Sequence, residues 1–380
     1  MFRTIENQLI QVCSEKQNDV IVLLGSRQVG KTTLLKNIFP HAVYVNIEKG
    51  PYATIFNSHD ISKIKSIFEE EKKYPTNILI LDEVQRLTDP GLIAKLIHDE
   101  LPEIHLIISG SSALEIAHKA SESLAGRKKS FYLFPLTYEE KLIQSNTSNS
   151  EIAIKESMRY GMYPELLNRP LEKESYLLEL VDSVILKDVY YLNLVKNTKH
   201  LLNLLRLLAY QIGQQINISD LSTRIGSSRQ TILDYLEILK KTYIIFTLPP
   251  FTKKRRDEIG KTEKIFFYDL GMRNAIINDF SPVEFRVDFG NIFENFIMSE
   301  IIKLNIYYQL RYSIHYWRTK WGSEVDCILQ KDNDLHAIEI KIRKGTVSPA
   351  FKNTYPQSTE SIINMKETYS FLQLLKQDFY

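Results

Sequence analysis

Sulfur is scarce in this chain: 380 residues carry two cysteines, Cys13 and Cys327. They are far apart and show no metal-ligand spacing, which excludes a disulfide framework and fits reduced thiols in a cytoplasmic protein. Charge of one sign is also missing. Forty-eight Lys and Arg against 46 Asp and Glu leave a net charge of +2, so any polyanion must be met by a local basic patch, not by a global field. No apolar run approaches the roughly 20 residues of a membrane-spanning helix. The start, Met1-Phe-Arg-Thr-Ile-Glu6, lacks the charged-then-apolar layout of a signal peptide. A cytoplasmic protein without membrane contact is expected. Internal repeats and long low-complexity segments are absent as well. What remains is ordinary for a soluble fold, 44% hydrophobic and 25% charged, with room for two or three domains.

Against this plain background one octet stands out, Gly25-Ser26-Arg27-Gln28-Val29-Gly30-Lys31-Thr32, followed by Thr33. The two glycines let the backbone curl around phosphate oxygens. Lys31 reaches the β- and γ-phosphates, and the Thr32 hydroxyl ligates Mg²⁺. The apolar run Val20–Leu24 predicts a buried strand before the octet. Residues Thr33 to Phe39 predict a helix after it, stopped by Pro40, whose N-terminus favours an anion. A second strand, Ile78 to Leu81, ends in Asp82-Glu83. Asp82 stands where a carboxylate holds Mg²⁺, and Glu83 where one polarises the attacking water. Alone, such a pair is a common acidic loop at a strand end; with the octet upstream it completes an ATP and Mg²⁺ site. A further strand, Ile104 to Ile108, leads into Ser109-Gly-Ser-Ser112, where Ser109 is a candidate for touching the nucleotide. Arg127 is either an arginine finger for the γ-phosphate or a surface arginine of a basic turn.

Strands and helices alternate through about residue 140, with Val43–Ile47 and Phe131–Pro135 as further strands, as a parallel sheet requires. Gln144 to Ser150 reads as a polar linker. From 151 to about 240 the pattern is helical, for example Leu201, Leu204, Leu205 and Leu208. Within it Ile218-Ser219 is expected to cap a short helix over Asp220 to Ile225. Gly226-Ser-Ser makes a turn, and a second helix runs from Arg229 to Lys241. Strands Tyr243 to Leu248 and Lys264 to Tyr268 follow, with Lys253-Lys254-Arg255-Arg256 in the loop between them. This is the layout of a winged helix-turn-helix. Arg229 and Gln230 would open the recognition helix, and the basic wing would meet DNA phosphates. Such modules also serve for plain packing, and Asp234 and Glu237 on the same helix oppose DNA contact.

The last third holds a hairpin, Tyr316 to Leu329, turning near Gly322, then the strand Ala337 to Ile342. Alternation puts Ile338, Ile340 and Ile342 on one face. Glu339 and Lys341 fall on the other, beside Asp326 if the strands pair. Glu294, on an amphipathic helix expected over Asn291 to Leu304, adds a carboxylate. Carboxylates and a lysine so gathered suit Mg²⁺ binding, with Asp326, Glu339 and Glu294 as ligands and Lys341 activating water. A solvated charged strand face is the alternative.

The order helix Glu294, strand Asp326, then Glu339-x-Lys341 resembles the PD-(D/E)xK nuclease superfamily, with Val325 where a proline often stands. Over essentially its whole length the chain also resembles bacterial and archaeal AAA-type ATPases with a C-terminal domain of unknown function. Further residues carrying that likeness are Leu81-Asp-Glu-Val-Gln-Arg86, Gly161-Met-Tyr-Pro-Glu165, Gly290-Asn-Ile-Phe-Glu294 and Tyr316-Trp-Arg318. The resemblance implies an α/β protein in three parts. Residues 1–150 would form an AAA-type P-loop ATPase domain with a parallel sheet, 151–270 a helical and winged-helix region, and 271–380 an α/β nuclease-like domain. DNA is the expected partner, and a homo-oligomer is left open.

Overall fold

Short runs of Val, Ile and Leu, flanked by amphipathic helices, bury both of their faces only inside a covered parallel sheet. The computed structural model describes residues 1–380 except 16–17, 112–123, 146–149, 185–196, 253–261, 344 and 378–380. The chain divides into two compact units, Met1–Phe134 and Pro135–Tyr380.

Among the described residues, the first unit builds a five-stranded sheet from β1 (Val20–Leu24), β2 (Val43–Asn46), β3 (Ile78–Asp82), β4 (His105–Gly110) and β5 (Lys128–Tyr132), in the order β2-β3-β4-β1-β5. Every pairing is parallel. The carboxyl ends of β1, β3 and β4 therefore lie along one edge. Strand order reverses beside β1, where a ligand crevice opens in such sheets. Central β1 is buried throughout, whereas edge strand β5 carries Lys128 and Lys129 and is only partly covered. β5 begins three residues before the expected Phe131, because Lys128 already pairs with Val20. The helix after the octet spans Lys31–Ile38, so Lys31 and Thr32 sit in its first turn; Gly30, at φ 94°, makes the entry.

The second unit begins before the polar stretch at 144–150. Helix Tyr138–Ser145 is tied into it by the Tyr138 N–H, which donates to Glu300 (2.7 Å), and by Lys376 Nζ on Glu139 (2.7 Å). At its centre lies the 19-residue helix Phe289–Tyr307. It is longer than expected and buried around most of its circumference, since it packs on several elements at once. Asn295 takes both backbone groups of Phe267, receiving its N–H (2.7 Å) and donating to its carbonyl (2.8 Å). Buried Lys303 is satisfied by Glu300 (3.0 Å) and the Leu136 carbonyl (3.1 Å).

Helix Thr198–Tyr210 buries Leu201, Leu204, Leu205 and Leu208, as their spacing requires. Next comes Ile218–Ile225, capped by Asn217, whose side chain accepts from the Ser219 and Asp220 N–H groups. The cap thus precedes the expected Ile218-Ser219, because a carboxamide oxygen reaches those donors and isoleucine offers none. Gly226 takes a left-handed φ of 73°, and Ser228 caps Arg229–Lys241. Strands β6 (Ile245–Leu248) and β7 (Lys264–Phe267) then pair antiparallel. Segment 213–216 joins the other side of β7, with Ile265 N–H donating to the Gln214 carbonyl (3.1 Å).

The remaining sheet has the order β11-β10-β9-β8, from β8 (Ser313–Arg318), β9 (Glu324–Lys331), β10 (Asp334–Ile340) and β11 (Thr359–Ile363). The first three form an antiparallel meander, and β11 runs parallel to β10. Trp317, Val325, Ile328, Ala337 and Phe351 pack its core, with the Trp317 and Phe351 rings 5.2 Å apart edge to face. Each buried aromatic contributes about 1.5–3 kcal/mol. Among the described residues no helix is long and apolar enough to cross a membrane.

Candidate functional site

At the carboxyl edge of the first sheet the octet wraps from β1 into its helix. Gly25 is required by packing: a Cβ there would lie 2.1 Å from the Leu133 carbonyl oxygen, directly beyond β5. Gln28 and Glu83, on two loops of the same edge, both adopt φ of 60°. A left-handed non-glycine residue costs about 1–2 kcal/mol, and such strain collects at functional sites. Arg3, which the sequence reading left without a role, supports the loop from behind; its guanidinium donates to the Val29 (2.7 Å) and Phe134 (2.6 Å) carbonyls.

Lys31 is buried, its ammonium donating to the Gly25 and Ser26 carbonyls at 2.8 Å each. Asp82, 1% exposed, is the focus of the edge. Its Oδ2 accepts from the Thr32 hydroxyl (2.6 Å) and from the Tyr44 hydroxyl, and its Oδ1 from the Ser109 hydroxyl and the Glu83 N–H (3.0 Å). Burial, reinforced by Asp82, holds the Tyr44 phenol well above its ordinary pKa, so it stays a donor. The Glu83 carboxylate accepts from the Gln85 amide, which also reaches the Ser111 hydroxyl (3.4 Å). Ammonium, hydroxyl and carboxylate are the donor set that a nucleoside triphosphate with Mg²⁺ takes. Lys31 would meet phosphate, and Thr32 and Asp82 the metal.

Sequence-chosen Gly25 to Thr32, Asp82, Glu83 and Ser109 thus meet at one edge, with Thr33 exposed on the helix that follows. Ser109, fully buried, places its hydroxyl on Asp82, so it orients that carboxylate. Arg127 is not brought there. Its carbonyl accepts from the Val20 N–H at the opposite, amino end of β1. That is about 16 Å from Gly25 along a five-residue strand. Its side chain pairs with Asp99 (3.0 Å). Sequence alone gives no role to Tyr44, inside β2, or to Gln85, in the turn after β3; a polar group in or just beyond an apolar strand was the available signal.

A second constellation lies in the second unit. The β9–β10 register, with Cys327 opposite Ile338, sets Asp326 opposite Glu339. Lys341 Nζ bridges the two, 3.1 Å from Asp326 Oδ2 and 2.7 Å from Glu339 Oε1, and the Ile340 N–H donates to Asp326 (2.8 Å). Glu294 joins through a residue that the sequence reading passed over. Lys264, which opens the otherwise apolar β7 and is 2% exposed, contacts Glu294 Oε1 (3.0 Å) and Glu324 Oε1 (2.5 Å). A lysine inside an apolar strand was its only sequence signal.

Burial lifts the Glu294 carboxyl to about 7, against the opposing pull of Lys264. Burial also lifts Glu339, with Asp326 adding to it and Lys341 opposing. Burial alone would lower Lys264 and Lys341. Glu294 and Glu324 more than offset it at the first, Asp326 and Glu339 at the second, so both lysines lie above their ordinary values. Oxygen ligands of this kind suit Mg²⁺. Glu339 Oε2 is buried without a hydrogen-bond partner, the orphan that a cation would satisfy. Yet among the described residues no three His, Cys, Asp or Glu side chains converge as a ligand set. Glu294, Asp326 and Glu339 do not form the expected triad, because Lys264 and Lys341 stand among the acids.

On the helix-turn-helix segment, Arg229 and Gln230 are exposed at the start of their helix, with Gln230 Nε2 donating to Asp234 (2.8 Å). Lys253, Lys254, Arg255 and Arg256 lie outside the described residues.

Comparison with known proteins finds a similar family for each region. Residues 17–142 match a family described as an AAA domain, 152–282 a domain of unknown function (DUF8612), and 289–373 another (DUF4143). The first part of the chain is thus similar to an AAA domain and its C-terminal part to DUF4143. An uncharacterized protein of Haemophilus influenzae is 24% identical, over 96% of this chain and 91% of its own length. One from Mycobacterium tuberculosis is 23% identical, over 85% and 70%. Among solved structures, a signal transduction ATPase with numerous domains and a tetratricopeptide repeat sensor from Pyrococcus horikoshii is 15% identical. It matches 80% of this chain and 45% of its own, at a TM-score of 0.32. The Hsp104–ADP complex of S. cerevisiae is 14% identical, over 62% and 38%, also at 0.32.

Proposed function

We propose that this protein binds and hydrolyses ATP with Mg²⁺ and couples nucleotide state in the first unit to DNA binding by the second. The observation that carries the reading is the convergence of Lys31, Thr32, Asp82 and Glu83 on one edge of a parallel sheet. There Lys31 neutralises phosphate charge, Thr32 and Asp82 hold the metal, and Glu83, oriented by Gln85, positions the attacking water. Bound Mg²⁺ supplies charge neutralisation at the phosphates. DNA contact rests on the helix-turn-helix, its exposed Arg229 and Gln230, and the basic run Lys253 to Arg256. Residues 135–380 act as one body in this reading, with the helix-turn-helix and the nuclease-like sheet as its two parts.

A second reading, DNA cleavage at Asp326, Glu339 and Lys341, is favoured by the unpartnered Glu339 oxygen. The test measures ATP turnover, with and without linear, single-stranded and branched DNA, alongside cleavage in Mg²⁺ or Mn²⁺. DNA-stimulated turnover that vanishes in Lys31→Ala supports the coupling; turnover indifferent to DNA rejects it. Cleavage lost in Glu339→Ala supports the nuclease reading. No cleavage on any substrate by an active ATPase leaves a binding switch.

A further inference from the structure

We propose that Trp321, at the tip of the β8–β9 hairpin, is a stacking platform for an unpaired base of single-stranded nucleic acid. This deepens the reading of the second unit as the DNA-binding one, and rests on it. The chain has two tryptophans, and the structure uses them in opposite ways. Trp317 is 7% exposed and anchors the hairpin in the sheet core against Phe351, whereas Trp321 is 95% exposed.

The tip is a closed turn. The Thr319 N–H donates to the Ser323 carbonyl (2.8 Å), the Gly322 N–H to the Thr319 carbonyl (3.2 Å), and the Ser323 N–H to the Thr319 hydroxyl (3.1 Å). Gly322, at φ 89°, makes the reversal, which a residue with a Cβ would resist. The indole is thus carried on a hydrogen-bonded frame. An aromatic side chain removes roughly 150–250 Å² from water when it packs, and here that surface is left open.

The charge around the ring points to what covers it. Arg318 and Lys320 flank the turn, both exposed. Because β9 runs antiparallel to β8 and to β10, both of those strands end where β9 begins, and exposed Arg343 follows β10 at that same end. Glu324, the acid that opens β9, is already engaged by Lys264 (2.5 Å) and Arg318 (3.4 Å). A flat apolar ring among cations matches a ligand that alternates flat bases with phosphates. A duplex hides its base faces in the stack, so one ring on a turn reaches a face without unstacking only on an unpaired strand. Among the described residues from 309 to 361, no other large apolar side chain is exposed. One ring alone is too little for stable anchoring in a lipid surface or for the apolar centre of a protein interface.

Equilibrium binding of labelled oligothymidylate to the full chain tests this, with its duplex with oligoadenylate and with oligouridylate alongside. Trp321→Ala should weaken the single strand about 10-fold and the duplex by less than about 2-fold, the loss of one stacked base. Trp321→Phe should recover most of that loss. The single strand should quench the intrinsic fluorescence of the parent but not of Trp321→Ala, which keeps only buried Trp317. Lys320→Gln should lower the salt slope of binding by about 1, one phosphate contact having gone. The DNA and RNA arms show which strand the tip takes, and loss on either supports the proposal. Single-strand binding that Trp321→Ala leaves unchanged overturns it and spares the DNA-binding reading. Equal loss on single strand and duplex also overturns it, since the tip then makes no base contact. A fluorescence response to anionic phospholipid vesicles and to no oligonucleotide overturns it in favour of a lipid surface. No binding of any nucleic acid overturns both the proposal and the reading beneath it.

Discussion

The two acidic centres of this protein are satisfied in opposite ways. Asp82 is surrounded by neutral donors, the hydroxyls of Thr32, Ser109 and Tyr44 and a backbone N–H. Asp326, Glu339, Glu294 and Glu324 are instead met by ammonium groups. Neutral donors orient a carboxylate but leave its charge to a cation, whereas a lysine cancels that charge. Among the described residues, the first arrangement leaves the carboxylate free of any ion pair, as the proposed metal–phosphate ligand requires. The second must exchange an ion pair to accept one, a far more costly step in a buried site.

The largest expected effect breaks the first side of this comparison. Lys31→Ala should weaken ATP binding by on the order of 10- to 100-fold, since it deletes a charged hydrogen-bond donor to phosphate. Equilibrium titration of a fluorescent ATP analogue checks it, and unchanged affinity would remove the octet from the nucleotide site. Glu83→Gln should slow hydrolysis by about 100-fold while leaving ATP affinity nearly constant, because it removes proton acceptance without the shape. Single-turnover rates and binding measured together separate the two.

The C-terminal sheet offers a pH-dependent contrast. Burial depresses His336 from 6.5 to about 4, and its ring lies between the Thr359 and Ser361 hydroxyls. The unfolded chain therefore binds the proton more readily. This group's contribution is complete above pH 6.5 and is lost as pH falls toward 4, at most about 3 kcal/mol. Denaturant titrations across that window should show the loss, and His336→Gln should flatten it. Tyr44→Phe should raise the Mg²⁺ requirement of hydrolysis only a few-fold, since two other hydroxyls still orient Asp82; a larger change would make the phenol a principal donor. Smallest of all, Arg127→Ala should alter hydrolysis by less than about 2-fold, its visible partner being the half-exposed Asp99. A collapse of activity would place Arg127 at the nucleotide of a second copy.

What could be read in the sequence was whatever depends on short spacing. The octet between a strand and a helix, Asp82 at the end of four apolar residues, and Glu339 opposite Asp326 all follow from periodicities of 2 and 3.6 along neighbouring residues. Element ends drifted where a cap or a ladder partner decided them, as at Asn217 and Lys128. The expected amphipathic helix over Asn291 to Leu304 is in fact buried on most sides, since packing from several elements overrides one-sided patterning.

The sequence by itself determined the glycine-bounded octet between a strand and a helix, the carboxylate that ends β3 and the alternation that gathers acids on one strand face, because those properties are local in the chain. Only the tertiary structure decided that Arg127 stands at the far end of β1, that Tyr44 and Ser109 both turn onto Asp82, and that Lys264 enters an acid cluster built by other elements. Each depends on strand order and on burial against residues distant in sequence, where desolvation and paired charge, not spacing, select the contact.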